Sequence, residues 1–114
     1  MTLNDFLSLL KTDLNNVQFA QTIATVEANY NYTPASFKNG DTQNESGTNE
    51  GSCKIFAFAK LNDLTQEQAL HCFGDYYRVD VLQNPEGSDH ANIRNFIQHG
   101  WNGINFESVA LVAK

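Results

Sequence analysis

The chain has 114 residues, room for one hydrophobic core, and is read as a single domain over residues 1–114. Hydrophobic residues make up 41% of it and charged residues 18%, with seven glycines and two prolines, which argues against disorder along the whole chain. Seven basic residues face thirteen acidic ones, for a formal charge of -6, so no basic patch stands ready to neutralise phosphates, and neither nucleic acid nor an anionic membrane is an expected partner.

Leu3, Phe6, Leu7, Leu10 and Leu14 recur at helical spacing and predict a first helix, capped by Thr2 or Asn4 and stopped at Asn15-Asn16. Phe19, Ile23, Val26 and Tyr30 predict a second helix, packed on the first across a short turn. From Tyr30 to Phe37 the helical period is lost, Tyr, Thr and Phe favour extended backbone, and Pro34 belongs at a sheet edge. Lys38 to Ser52 carries no large apolar residue and reads as a long polar loop with a turn at Asn39-Gly40.

Cys53 to Leu61 is apolar and too brief for periodicity to choose between a helix and a buried strand; Ser52 as a cap and Ala57, Ala59 and Leu61 favour the helix. Thr65 with Gln68 forms a capping box for a helix running through Leu70 and Phe73 to Gly74. Tyr76 to Leu82 suits a short helix or a strand, and Asn84 to Gly87 a turn. Ser88 or Asp89 is placed to cap a helix carrying Ile93, Phe96 and Ile97 and ending at Gly100. Ile104 to Phe106 reads as a strand, and Glu107 to Lys114 holds a terminal one. The sum is an α+β domain of four or five helices with a small antiparallel sheet; the alternative is an all-α domain.

No apolar run approaches the ~18 residues of a membrane span, and no secretory leader is visible at the N-terminus. Two cysteines are too few for a disulfide framework. Cys72 falls on the inner face of a helix and reads as a buried reduced thiol. Cys53, beside Lys54 at a helix start, is a candidate nucleophile with His90 as its base, because a helix N-terminus and a cation both lower a thiol pKa. The same residues equally suit a helix start with Cys53 partly buried. Asn39, Asn44 and Asn49 lie five apart among carboxylates, but the residue order of a calcium loop is missing, and neither a metal nor a cofactor is read. Arg78, Asp80, His90, Asn92, Arg94 and Trp101 could rim a polar pocket for a ligand. They could instead form an internal network in which Arg94 pairs with Asp80 and His90 caps the chain.

Three segments carry a resemblance: Asn49-Glu50-Gly51-Ser52-Cys53-Lys54-Ile55-Phe56-Ala57-Phe58-Ala59, Phe73-Gly74-Asp75-Tyr76-Tyr77-Arg78-Val79-Asp80-Val81-Leu82, and Pro85-Glu86-Gly87-Ser88-Asp89-His90-Ala91-Asn92-Ile93-Arg94-Asn95-Phe96. With Asn39-Gly40 and Gly100-Trp101-Asn102-Gly103-Ile104 they resemble the HopJ type III effector family over roughly residues 19 to 111. The resemblance implies no particular reaction. Its shared positions are Gly51, Ser52, Cys53 and Lys54, then Tyr77, Arg78 and Asp80, then His90, Asn92, Arg94, Gly100 and Trp101. The expectation is a small soluble binding or interaction module with an unidentified protein or small-molecule partner; an enzyme using Cys53 and His90 is the alternative. A first helix beginning by about residue 4 leaves little chain for a mobile export signal. The expected location is therefore the bacterial cytoplasm, with translocation into a host cell as the alternative.

Overall fold

The computed structural model describes residues 1–114. Helix α1 (Leu3–Thr12) starts from a reciprocal cap: Thr2 Oγ1 accepts the Asp5 N–H at 3.1 Å and Asp5 Oδ2 accepts the Thr2 N–H at 3.2 Å. It buries Phe6 and Leu10 against α2 (Phe19–Asn29). The buried stripe of α2 is Thr22, Thr25 and Val26; Phe19 and Ile23, expected in the core, are only partly covered. Thr22 fits the interior because its hydroxyl donates to the Cys72 carbonyl at 2.8 Å.

Helix α3 (Glu50–Leu61) runs through the middle of the domain and buries Cys53 and all of Ile55 to Ala59. A helix apolar on every side must be enclosed on every side. Phe56 makes ring contacts with Phe37, Phe73, Phe96 and Trp101, and Phe58 with Phe6 and Tyr30. Helix α4 (Gln66–His71) begins at the Thr65–Gln68 capping box and is shorter than the sequence suggests, because the chain turns at Cys72 to Gly74. Tyr76–Val81 is a π-helical turn, and α5 spans Ala91–His99.

Five short strands complete the α+β fold: β1 (Tyr30–Tyr32), β2 (Phe37–Asn39), β3 (Thr42–Asn44), β4 (Ile104–Phe106) and β5 (Leu111–Ala113). They form two antiparallel sheets, not one. The pair β1–β5 aligns Tyr30 with Ala113, and in the order β3-β2-β4 Phe37 lies between Asn44 and Phe106. The Phe37 and Phe106 rings stack at 5.1 Å. Residues 38 to 52 are therefore not one continuous loop. Gly40, at φ +59°, and Asp41 join β2 to β3 as a two-residue hairpin, the connection in which a positive φ at the first position matches the strand twist.

Candidate functional site

The β2–β3 hairpin brings an asparagine cluster under the starts of two helices. Asn92, in the first turn of α5, accepts at Oδ1 from Asn39 Nδ2 and Asn44 Nδ2, both at 3.0 Å, and donates from Nδ2 to Asn44 Oδ1 at 3.0 Å. Asn44 Oδ1 also accepts from Asn49 Nδ2, at 2.7 Å, just before α3. Asn39, Asn44 and Asn92 are buried. The five-residue spacing of Asn39, Asn44 and Asn49 thus serves a network that ties both helix starts to one hairpin.

Above this network lies a cleft of about 390 Å³. Its polar wall is the first turn of α3 (Gly51, Ser52) and the first turn of α5 (Ala91, Asn92, Ile93), and its apolar side includes Phe19, Phe73 and Tyr76. Neither helix is capped as the sequence suggests. The residues preceding them are Asn49 (φ 49°, ψ 46°) and His90 (φ 51°, ψ 51°), both left-handed and neither making a side-chain cap. Ser52, expected as a cap, sits inside α3, and Ser88 and Asp89 precede the true boundary of α5. An α-helix leaves its first four N–H groups without partners in the helix. Here two such sets, with the positive ends of two helix dipoles, border one cleft.

The predicted site residues divide. His90 and Asn92 line the cleft, and Asp80 stands behind His90, with Oδ2 2.9 Å from Nε2. Arg94 pairs with Asp89, not with the Asp80 carboxylate: Nη2 donates to Asp89 Oδ1 and Nε to the Asp89 carbonyl, each at 2.6 Å, and Nη1 to the Asn84 carbonyl at 2.9 Å. The reason is local. The left-handed His90 folds the chain back so that Asp89 meets the first turn of α5. Gly87 keeps the approach open, since a Cβ there would stand 2.6 Å from Arg94 Nη2. Arg78 donates to the Leu14, Val17 and His71 carbonyls and ties the π-helical turn to the loop before α2. Trp101 packs on Phe56 and Phe96 and donates Nε1–H to the Leu64 carbonyl at 3.1 Å, away from the cleft.

Cys53 is 1% exposed, and its thiol lies 3.7 Å from the Ala35 carbonyl. Burial pushes this thiol up, opposite to the expected lowering by the helix start. The fourth residue of α3 has its own N–H already bonded to the Asn49 carbonyl, and the Lys54 ammonium is drawn aside to Glu27 at 3.4 Å, so desolvation wins. Cys72 is buried as expected, and its thiol is pushed up to about 12 by burial. The sequence does not mark Phe19, Thr42, Asn44 or Ser52 as cleft residues. The available signal was that two of the resemblance segments each hold a helix start.

The fold and cleft together define a small α+β domain built around two convergent helix starts. The family model described as HopJ type III effector protein matches residues 3–111, and the chain belongs to that family. The chain is also similar to the crystal structure of the unknown function protein VPA0580, with 54% identity and a TM-score of 0.99 over 100% of this chain and 95% of that one. No curated protein matches. No helix is long and apolar enough to cross a membrane.

Proposed function

We propose that the protein is a binding module whose cleft takes a small ligand with an anionic head and a flat apolar body. The observation that carries this reading is the convergence of the α3 and α5 first turns, neither capped by a side chain, on one cleft with aromatic side walls. Helix N-termini favour anions through aimed N–H groups and the dipole. A volume of about 390 Å³ lies within the range of small-molecule sites. The chain's charge of -6 opposes an anion at long range, but at physiological salt that field is screened within about 8 Å, and contacts in the cleft decide.

The alternative, an enzyme with Cys53 as nucleophile and His90 as base, has less support. Cys53 faces Ala35 and does not line the cleft, while His90 Nε2 is engaged by Asp80. Membership of a family of type III effectors favours delivery into a host cell over residence in the bacterial cytoplasm, and the bound ligand or partner would then be a host one.

Calorimetric titration with inorganic phosphate and phenyl phosphate tests the reading. Phenyl phosphate is expected to bind at least about tenfold more tightly, since covering a ring contributes roughly 1.5–3 kcal/mol. Ser52→Glu, which places a carboxylate among the donors, is expected to weaken both ligands. Saturable binding of neither anion, or equal binding to Ser52→Glu, contradicts the proposal.

A further inference from the structure

Beside the cleft, at its His90 wall, three side chains from two stretches of backbone converge. Asp80 lies in the π-helical turn, Asp89 in the loop before α5, and His90 at the α5 boundary. Asp80 Oδ2 is 2.9 Å and Asp89 Oδ2 3.8 Å from His90 Nε2, and one donor atom from each residue lies within 4.8 Å of the others. Ligand atoms bonded at about 2.0–2.2 Å to one cation stand roughly 3–3.5 Å apart. The two separations from Nε2 bracket that spacing, so small side-chain movements suffice.

We infer that Asp80, Asp89 and His90 form a binding site for one first-row divalent metal ion such as zinc or cobalt, next to the cleft wall that His90 supplies. The supporting shell is already in place. Arg94 holds Asp89 Oδ1 at 2.6 Å, leaving Oδ2 as the oxygen turned to His90, and its Nη2 also reaches the Asp80 carbonyl at 3.5 Å. Such an outer partner orients a metal-binding carboxylate. The Tyr76 ring packs against the imidazole at a centroid distance of 5.2 Å and fixes its plane. The left-handed backbone of His90 is a conformation that few residues with a Cβ adopt, and it turns the ring back over Asp80.

The donor set selects the metal. One imidazole and two carboxylates suit zinc and its neighbours, whereas calcium requires six to eight oxygens. Three protein ligands with an open position is the arrangement of zinc sites that accept a further ligand. Two carboxylates and one guanidinium leave the cluster with one net negative charge, so a divalent ion turns it positive. The metal site does not depend on the anion reading above; a metal would strengthen an anion's hold there, and the test uses no anion but chloride.

The test is titration of the full chain with cobalt(II) chloride, followed by visible absorption and by NMR of the histidine rings. One ion per chain is expected, with the His90 ring signals broadened before those of His71 and His99. His90→Asn, which tolerates the left-handed backbone, and Asp80→Asn are each expected to weaken binding at least about tenfold. His99→Asn, at a second histidine near a carboxylate (Asp41, 3.7 Å), is expected to leave it unchanged. Absence of saturable cobalt binding by the native chain overturns the site without recourse to any variant. So does unselective broadening of all three histidines, or unchanged affinity in folded His90→Asn.

Discussion

Asn44 and Asn92 face each other as a reciprocal amide pair, each donating Nδ2 to the other's Oδ1 at 3.0 Å, both buried beneath the cleft. Through this pair the β2–β3 hairpin sets the position of α5, and through Asn49 it sets that of α3. The cleft exists because two helix starts share one polar floor.

Replacing Asn92 by leucine keeps the branching at Cγ and removes the pair. Asn44 Nδ2 then loses its acceptor, while Asn39 Nδ2 keeps the Asn92 carbonyl at 2.8 Å. A loss of about 2 kcal/mol is expected, the cost of a buried amide left unsatisfied. Urea unfolding measures it, and a loss below about 0.5 kcal/mol would show that the network contributes little.

Two glycines separate backbone strain from packing. At Gly74 (φ +60°) a Cβ would lie 2.6 Å from the Phe19 backbone nitrogen, whereas at Gly47 (φ +85°) nothing lies within 4 Å. Gly47→Ala is expected to lose about 1 kcal/mol from backbone conformation alone, and Gly74→Ala more than about 2 kcal/mol. Equal losses would mean that the approach of Gly74 to Phe19 is freely relaxed. Because Phe19 lines the cleft, Gly74→Ala should also weaken ligand binding in calorimetry.

Both thiols should be inert in the folded chain. Cys53 and Cys72 are buried and their thiols are pushed up, so iodoacetamide at about pH 8 should modify neither in the native state and both after unfolding. Mass spectrometry reads the result. Rapid native modification of Cys53 alone would revive the nucleophile reading.

His71 gives the fold a pH dependence of defined sign. Burial, and then the Arg78 guanidinium 3.1 Å from Nδ1, hold the imidazole below its ordinary 6.5, against a smaller opposing effect of Glu67. The unfolded chain takes up the proton first, so stability falls as pH drops from about 6.5 through the lower folded value. The Asp5 and Asp89 carboxyls, held below 3.8, act only in more acid solution. Urea unfolding between about pH 7.5 and about pH 5.5 should show a smaller loss for His71→Asn than for the native chain. An identical pH profile in the two would remove His71 as the cause.

Much of the fold was legible in the sequence because its signals are local. The capping boxes at Thr2 and Thr65, the apolar run Ile55 to Ala59 and the turn at Gly40 each act within a few residues. The site was less legible because it depends on distant pairings and unusual backbone. Nothing in Lys38-to-Ser52 shows that Asn39 and Asn44 will find Asn92, 53 and 48 positions away. The sequence offers Asp80 as the partner of Arg94 and His90 as a cap, whereas Arg94 takes Asp89 and His90 takes Asp80, because the chain enters α5 through a left-handed His90 and not through a conventional cap at Ser88 or Asp89. Trp101 and Arg78 looked like pocket residues, since side chains that carry polar groups into a core have the same composition as those that rim a site.

The most direct measurement is an amide NMR titration of the full chain with phenyl phosphate. Binding between the helix starts predicts saturable shifts concentrated in the N–H signals of Gly51, Ser52, Ala91, Asn92 and Ile93, with the Trp101 indole signal unmoved. Shifts scattered over the surface without saturation, or centred on Trp101 with the two first turns silent, would contradict it.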